Sequence, residues 1–209
     1  MHKGETMRVV VVGCEYTGVT TLINGIYEWG KDRGIDHHLD DHFTIPDAYH
    51  LSLEEQTAML EMLPAIKERF QWFQIVYHVC LLHRFEHILM GGFHIEEMVY
   101  GPKYYYPGIN IDVREYEPEM PDDTILVHLT ANADAVRARM ESDPHPHQLV
   151  PSADVTEILE RFEAEIRHSW TKHKLKIDTS DLTPEILLDT FLEKSKPHLN
   201  KRDLLTRLG

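Results

Sequence analysis

Cysteine is scarce: Cys14 and Cys80 are the only two, in unrelated contexts, and one pair of thiols does not staple a chain of 209 residues. A disulfide scaffold is excluded, and both read as free thiols. Basic residues are also few. There are 21 Lys and Arg against 35 Asp and Glu, and the formal net charge of -14 repels a phosphate backbone. Nucleic acid is therefore not an expected partner. Long apolar runs are missing too; the run Val9-Val10-Val11-Val12 is far below the ~20 residues of a spanning helix or the length of a signal h-region. Neither a membrane nor secretion is expected, and a cytoplasmic location is. What is present is ordinary for a globular chain, 42% hydrophobic and 27% charged, long enough to bury roughly 70% of its unfolded surface as one domain over 1–209. The polar leader 1–6 reads as dispensable.

Along the chain, short β-branched runs alternate with helical patterns. Residues 8–12 read as a buried parallel strand because nothing alternates, and 20–33 as a helix with Leu22, Ile26 and Trp29 on one face and Gly34 as its stop. A second strand is expected over 35–43. Ser52 with Glu55 forms a capping box opening a helix, and Pro64 kinks it or begins another running through Arg84. A strand follows at 87–91, then a Tyr-, Gly- and Pro-rich irregular segment up to Pro121. Residues 124–129 form the clearest later strand, with a helix over 133–140 behind it. The stretch 142–152 carries three prolines and reads as an exposed loop. Asp154 with Glu157 makes a second capping box, 175–177 a last strand, and Thr183-Pro184 caps a final helix. The pattern predicts an α/β three-layer sandwich around a central parallel sheet of about five strands.

Gly13-Cys14-Glu15-Tyr16-Thr17-Gly18-Val19-Thr20-Thr21 follows the first strand and opens the first helix. It matches G-x-x-x-x-G-K-[ST] except that Val19 stands where lysine belongs. Such a loop curls backbone N–H groups around phosphate oxygens, adds the helix N-terminus as positive potential, and offers a hydroxyl, here Thr20, to Mg²⁺. Gly13, Tyr16, Thr17, Gly18, Val19, Thr20 and Thr21 are thus the expected nucleotide contacts, with Thr20 the magnesium ligand. An ordinary strand-to-helix turn is the plain alternative.

With this loop the chain resembles the P-loop nucleoside and nucleoside-monophosphate kinases of the thymidylate kinase or deoxynucleoside kinase type, over most of 8–192. The resemblance implies the P-loop NTPase fold, ATP or another purine triphosphate with Mg²⁺, and a small-molecule acceptor; a homodimer is left open. It places Asp40-Asp41 among acidic substrate contacts after the second strand, and His94-Ile95-Glu96-Glu97-Met98-Val99-Tyr100-Gly101 at the motif after the third, without its usual arginine. Arg137 and Arg139 fall where phosphate-clamping arginines occur, 142–152 where a lid would be, and Lys176-Ile177-Asp178-Thr179-Ser180 at the loop that meets the base.

Phosphoryl transfer needs positioning, Mg²⁺ and positive charge more than covalent chemistry. With no lysine at position 19, the expected sources are Arg137, Arg139 and Lys103. The two arginines are two apart on a helix, so both facing one ligand is not expected. Asp41 and Glu97 are the favoured general bases, with Asp40, Glu96, Tyr100 and Lys103 toward the acceptor. His83 and His87 at i, i+4 and His145-Pro146-His147 read as surface or structural residues rather than metal ligands. Lid histidines can also gain charge below neutral pH. The Tyr104-Tyr105-Tyr106 run reads as loop packing before base stacking. The reading is ATP-dependent phosphoryl transfer to a nucleoside, nucleotide or similar acceptor. Its rivals are a kinase of another small hydroxylated metabolite and a nucleotide-binding regulatory protein that lost catalysis with its lysine.

Overall fold

The computed structural model describes residues 7–41, 52–109, 112–145 and 148–198. The leader 1–6, the side chain of Asp41, Phe43, Pro46, Pro146 and His147 lie outside the described residues.

Five parallel strands, β1 (Met7–Gly13), β2 (His38–Asp41), β3 (His87–Gly91), β4 (Thr124–Thr130) and β5 (His173–Asp178), form one sheet in the order β2-β3-β1-β4-β5. The central position of β1 explains its composition. Paired on both edges and covered on both faces, it is buried along its whole length. Its valines divide by parity, as the two-residue period of a strand requires. Val9 and Val11 face Leu22 and Ile26 of α1 (Val19–Lys31) and Leu187 and Phe191 of α7 (Pro184–Ser195). Val10 and Val12 face the opposite layer. There they join Ile75, Val79 and Leu82 of α3 (Pro64–Arg84), Ile95 and Val99 of α4 (His94–Tyr100), and Val155, Ile158 and Phe162 of α6 (Val155–His168). The molecule is the expected three-layer sandwich, and among the described residues no helix is long and apolar enough to cross a membrane.

The local signals mostly hold. Ser52 and Glu55 close a reciprocal capping box on α2 (Leu53–Leu60), Pro64 sits in the first turn of α3, and Thr183 caps α7. Others change. The second strand is confined to His38–Asp41. The segment read as irregular contains α4, a π turn at Gly101–Tyr105 and a 3-10 helix at Val113–Glu119, because its tyrosines are packing groups: Tyr105 and Tyr106 are buried. The second capping box does not form. Asp154 ends a 3-10 turn, and its carboxylate accepts instead from the Tyr104 hydroxyl at 2.9 Å and pairs with Lys103 at 3.1 Å. His83 closes α3 while His87 lies on β3, so their spacing is not helical.

Candidate functional site

A cleft of about 1420 Å³ opens at the carboxyl edge of the sheet, where ligands of open α/β sheets bind. Its floor is the loop between β1 and α1. Two of the glycines there are required by geometry. A Cβ on Gly13 would stand 2.5 Å from both the Leu129 carbonyl oxygen and the Thr17 hydroxyl, and Gly18 adopts φ +95. Tyr16 is also left-handed at φ 66, so the chain reverses twice within three residues before helix α1 begins at Val19. The Glu15 and Thr17 N–H groups of this turn are engaged within the protein, and the first turn of α1 adds N–H donors without intrahelical partners at the cleft.

The rest of the loop is fastened from below. The Tyr100 hydroxyl accepts from the Glu15 N–H at 3.1 Å and donates to the Gly13 carbonyl at 3.3 Å. Thr17 turns inward and donates to the Cys14 carbonyl at 2.7 Å. Burial, with Glu15 beside it, pushes the Cys14 thiol up to about 12, so it stays protonated. Tyr100, expected at the acceptor, does line the cleft, where it is also a buried strut under the loop whose hydroxyl is held protonated by burial.

Arg139 lines the cleft and Arg137 does not. Arg139 donates to the carbonyl oxygens of Tyr16 at 2.9 Å, Thr179 at 2.5 Å and Ser180 at 3.3 Å, and to the Thr179 hydroxyl at 3.2 Å. It ties the phosphate loop to the β5–α7 loop, the segment expected to meet the base. Arg137 points the other way, to Asp134, the Ser152 carbonyl and the Thr156 hydroxyl. Lys103 pairs with Asp154 and, at 2.5 Å, with Glu157, away from the cleft.

The carboxylates sort differently from expectation. Glu96 lines the cleft, whereas Glu97 is fully buried on the other side of α4 and accepts from the Tyr106 hydroxyl. Successive helical residues diverge by 100°, so one of the pair had to turn away, and the apolar side of α4 took Glu97. Asp40 also lines the cleft, 5% exposed, with His78 of α3 at 3.8 Å behind it. That α3 partner had no sequence signal, since nothing in its periodicity marks a buried histidine facing β2.

Val19 sits half-buried against the core cluster of Val9 and Val11. Thr20 and Thr21 line the cleft on the exposed side of the helix start. Among the described residues no three His, Cys, Asp or Glu side chains could hold a metal together. The Thr20 hydroxyl shares the lining of the cleft with Asp40 and Glu96.

The loop after α5 (Ala133–Ser142) also reaches the phosphate loop, a contact with no signal in the sequence. Glu15 accepts from the Leu149 N–H at 3.0 Å and the Val150 N–H at 2.8 Å, and Val150 is buried rather than exposed. Burial raises the Glu15 carboxyl above its ordinary range, while these two N–H bonds and His145 favour its charge. The Tyr16 ring stacks on His145 at 4.6 Å, and its hydroxyl accepts from the His145 N–H at 2.9 Å.

Fold and loop together define the P-loop NTPase architecture. No protein-family model and no curated protein matches the sequence. Solved structures do match in fold. The YorR protein of Bacillus subtilis, in complex with phosphorylated GDP, superposes with a TM-score of 0.58 at 16% identity, covering 91% of this chain and 98% of that one. A sugar kinase from Janibacter sp. gives 0.55 at 19%, covering 93% and 99%. Deoxyadenosine kinase from M. mycoides with bound dATP gives 0.58 at 12%, covering 90% and 98%.

Proposed function

We propose that the chain transfers a phosphoryl group from a purine nucleoside triphosphate, ATP by expectation, to a nucleoside, a nucleotide or a similar small hydroxylated acceptor. The observation that carries this reading is the doubly reversed Gly13–Thr21 turn at the head of α1, opening into a cleft whose opposite wall bears carboxylates. Backbone N–H groups and the α1 N-terminus hold the phosphates, and Thr20 holds Mg²⁺. A bound Mg²⁺-triphosphate supplies the electrophilic phosphoryl group and neutralises charge on it. On the acceptor side one of the two carboxylates, Asp40 or Glu96, accepts a hydrogen bond from the attacking hydroxyl and takes its proton as the new P–O bond forms and the bond to the departing nucleoside diphosphate breaks. The loop 142–152 serves as a lid, tied to the phosphate loop through Glu15.

A second reading, triphosphate binding without turnover, is favoured by the cleft's charges. Among the described residues lining it, Arg139 is the one Lys or Arg, and four oxygen acceptors already engage its guanidinium.

Incubation with Mg²⁺-ATP and a panel of nucleosides, nucleotides and sugars, followed by assay for ADP, separates the two. Turnover is expected, and Thr20→Ala should lower it about a hundredfold, the cost of one preorganised electrostatic contact, with unchanged melting in the absence of nucleotide. Full metal-dependent turnover in Thr20→Ala would remove that hydroxyl from the site. Val19→Lys should tighten triphosphate binding; if ADP then appears where the parent gave none, the binding-only reading holds for the parent.

A further inference from the structure

We infer that the acceptor of the proposed phosphoryl transfer is a hydroxylated amine without phosphate or carboxylate, its ammonium group facing one of the two carboxylates Asp40 and Glu96. The inference rests on the kinase reading above and narrows its acceptor. The cleft and its loop make the site, and its charges select what enters.

Those charges begin in the sequence. Residues 34–66 run through β2 to the start of α3, residues 85–102 through β3 and α4, and neither stretch contains a Lys or Arg. The first carries seven Asp and Glu residues and the second three. Cations from elsewhere in the chain are committed. Lys103 pairs with Asp154 and Glu157 away from the cleft. Arg139, the one Lys or Arg among the described residues lining the cleft, is engaged by the carbonyl oxygens of Tyr16, Thr179 and Ser180. A phosphate or carboxylate on the acceptor therefore meets like charge with no counter-ion, which excludes it.

The fold then brings the two carboxylates to one end of the cleft. Asp40 pairs in register with Met90 of β3, one residue before both strands end. Beyond that point the backbone is left-handed at Gly92 (φ 78) and again at Phe93 (φ 106), and this reversal launches α4 with Glu96 in its first turn. Both side chains line the cleft at its β2–β3 end, while Arg139 reaches the loop after β5, at the opposite end of the strand order.

One carboxylate is enough for the chemistry. The acceptor hydroxyl oxygen bonds to the terminal phosphorus, the bond from that phosphorus to the departing nucleoside diphosphate breaks, and the hydroxyl proton passes to the carboxylate. The second carboxylate keeps its charge throughout. Beside a neutral acceptor it repels the incoming triphosphate. Beside an ammonium group it is offset by a charge-assisted contact, and the acceptor itself brings the positive charge that Val19 does not supply.

The test takes three skeletons, each in a neutral, an amine and a phosphate form: glycerol, serinol and glycerol phosphate; glucose, glucosamine and glucose phosphate; adenosine, its amino-deoxy analogue and AMP. ADP release from Mg²⁺-ATP is followed at about pH 6.5, below the titration of such amines. Within any skeleton that turns over, the amine should show a kcat/KM about tenfold above the neutral form, the size of one charged contact, and the phosphate form should give no ADP. Calorimetry on Asp40→Asn and Glu96→Gln, each checked for normal melting, reads affinity apart from turnover; in at least one the amine should bind no better than the neutral form. Equal kcat/KM for amine and neutral forms, or turnover of a phosphate form, overturns the inference and leaves the kinase reading standing. An amine advantage untouched in both variants overturns the placement of the ammonium group. ATP binding with no ADP from any compound removes the kinase reading and the inference with it.

Discussion

The two halves of the cleft are built on opposite plans. The half proposed to take nucleotide is one continuous stretch, Gly13–Thr21, shaped by backbone: left-handed Tyr16 and Gly18, a glycine wedged against Leu129, and struts from Tyr100 and Arg139 beneath. The half proposed to take the acceptor is assembled from pieces far apart in sequence, Asp40 on β2, His78 on α3 and Glu96 on α4, and presents side chains rather than backbone. A phosphate group is the same in every nucleotide, so a backbone cradle serves it whatever the side chains are. An acceptor varies, and side chains on separate elements can vary with it.

Acid tests two buried imidazoles, one at the edge of that second half and one outside the cleft. His37 at its edge is held down at about 4 by burial and by His87, and His128 on β4 is held at about 4 by burial despite Glu163. Unfolded, both take up protons near 6.5, so stability is full above that pH and is lost as pH falls toward 4. Denaturant melts at pH 7 and pH 4.5 should differ by about 2–3 kcal/mol per imidazole, less whatever the native state recovers by relaxing. Replacing His37 and His128 together with glutamine should flatten that dependence; an unchanged slope would mean that neither imidazole is held neutral.

Gly13→Ala strikes the other half. Its Cβ meets a strand carbonyl, which cannot swing aside, so a loss of about 3 kcal/mol in unfolding free energy is expected along with the triphosphate-induced thermal shift. Native stability with normal nucleotide binding in this variant would mean that the loop has another conformation.

Glu96 and Glu97 give the smallest and sharpest contrast. Glu97→Gln should lower stability by about 1–2 kcal/mol because the buried hydrogen bond from the Tyr106 hydroxyl to the Glu97 carboxyl is disturbed, while nucleotide affinity is spared. Glu96→Gln should leave the melt alone and reduce turnover. Reversed outcomes would exchange the two residues' places on α4.

These contrasts track what was legible in the sequence. The loop could be read because its conformational demands fall on glycines that adjoin a strand and a helix. The sheet could be read because a strand buried on both faces has no choice but to be apolar throughout. Glu97 reads as a site carboxylate alongside Glu96 because nothing in the sequence marks α4 as a helix, and without its phase the outward face is undetermined. Lys103 and Arg137 looked available because their partners, Asp154 and Glu157 for one and Thr156 for the other, sit some twenty to fifty residues away. The Asp154 capping box failed for the same reason, since Tyr104 and Lys103 claimed its carboxylate.

The two thiols differ in a way that makes the protein its own probe of motion. Cys80 is exposed on α3, while Cys14 lies beneath the phosphate loop with its thiol pushed up to about 12. Only a thiolate attacks an alkylating reagent. Under native conditions a fluorescent maleimide therefore marks Cys80 promptly and reaches Cys14 only during excursions that lift the loop from the sheet. The slow second labelling event clocks those excursions. A ligand that seats in the cradle should lengthen that clock without touching the first.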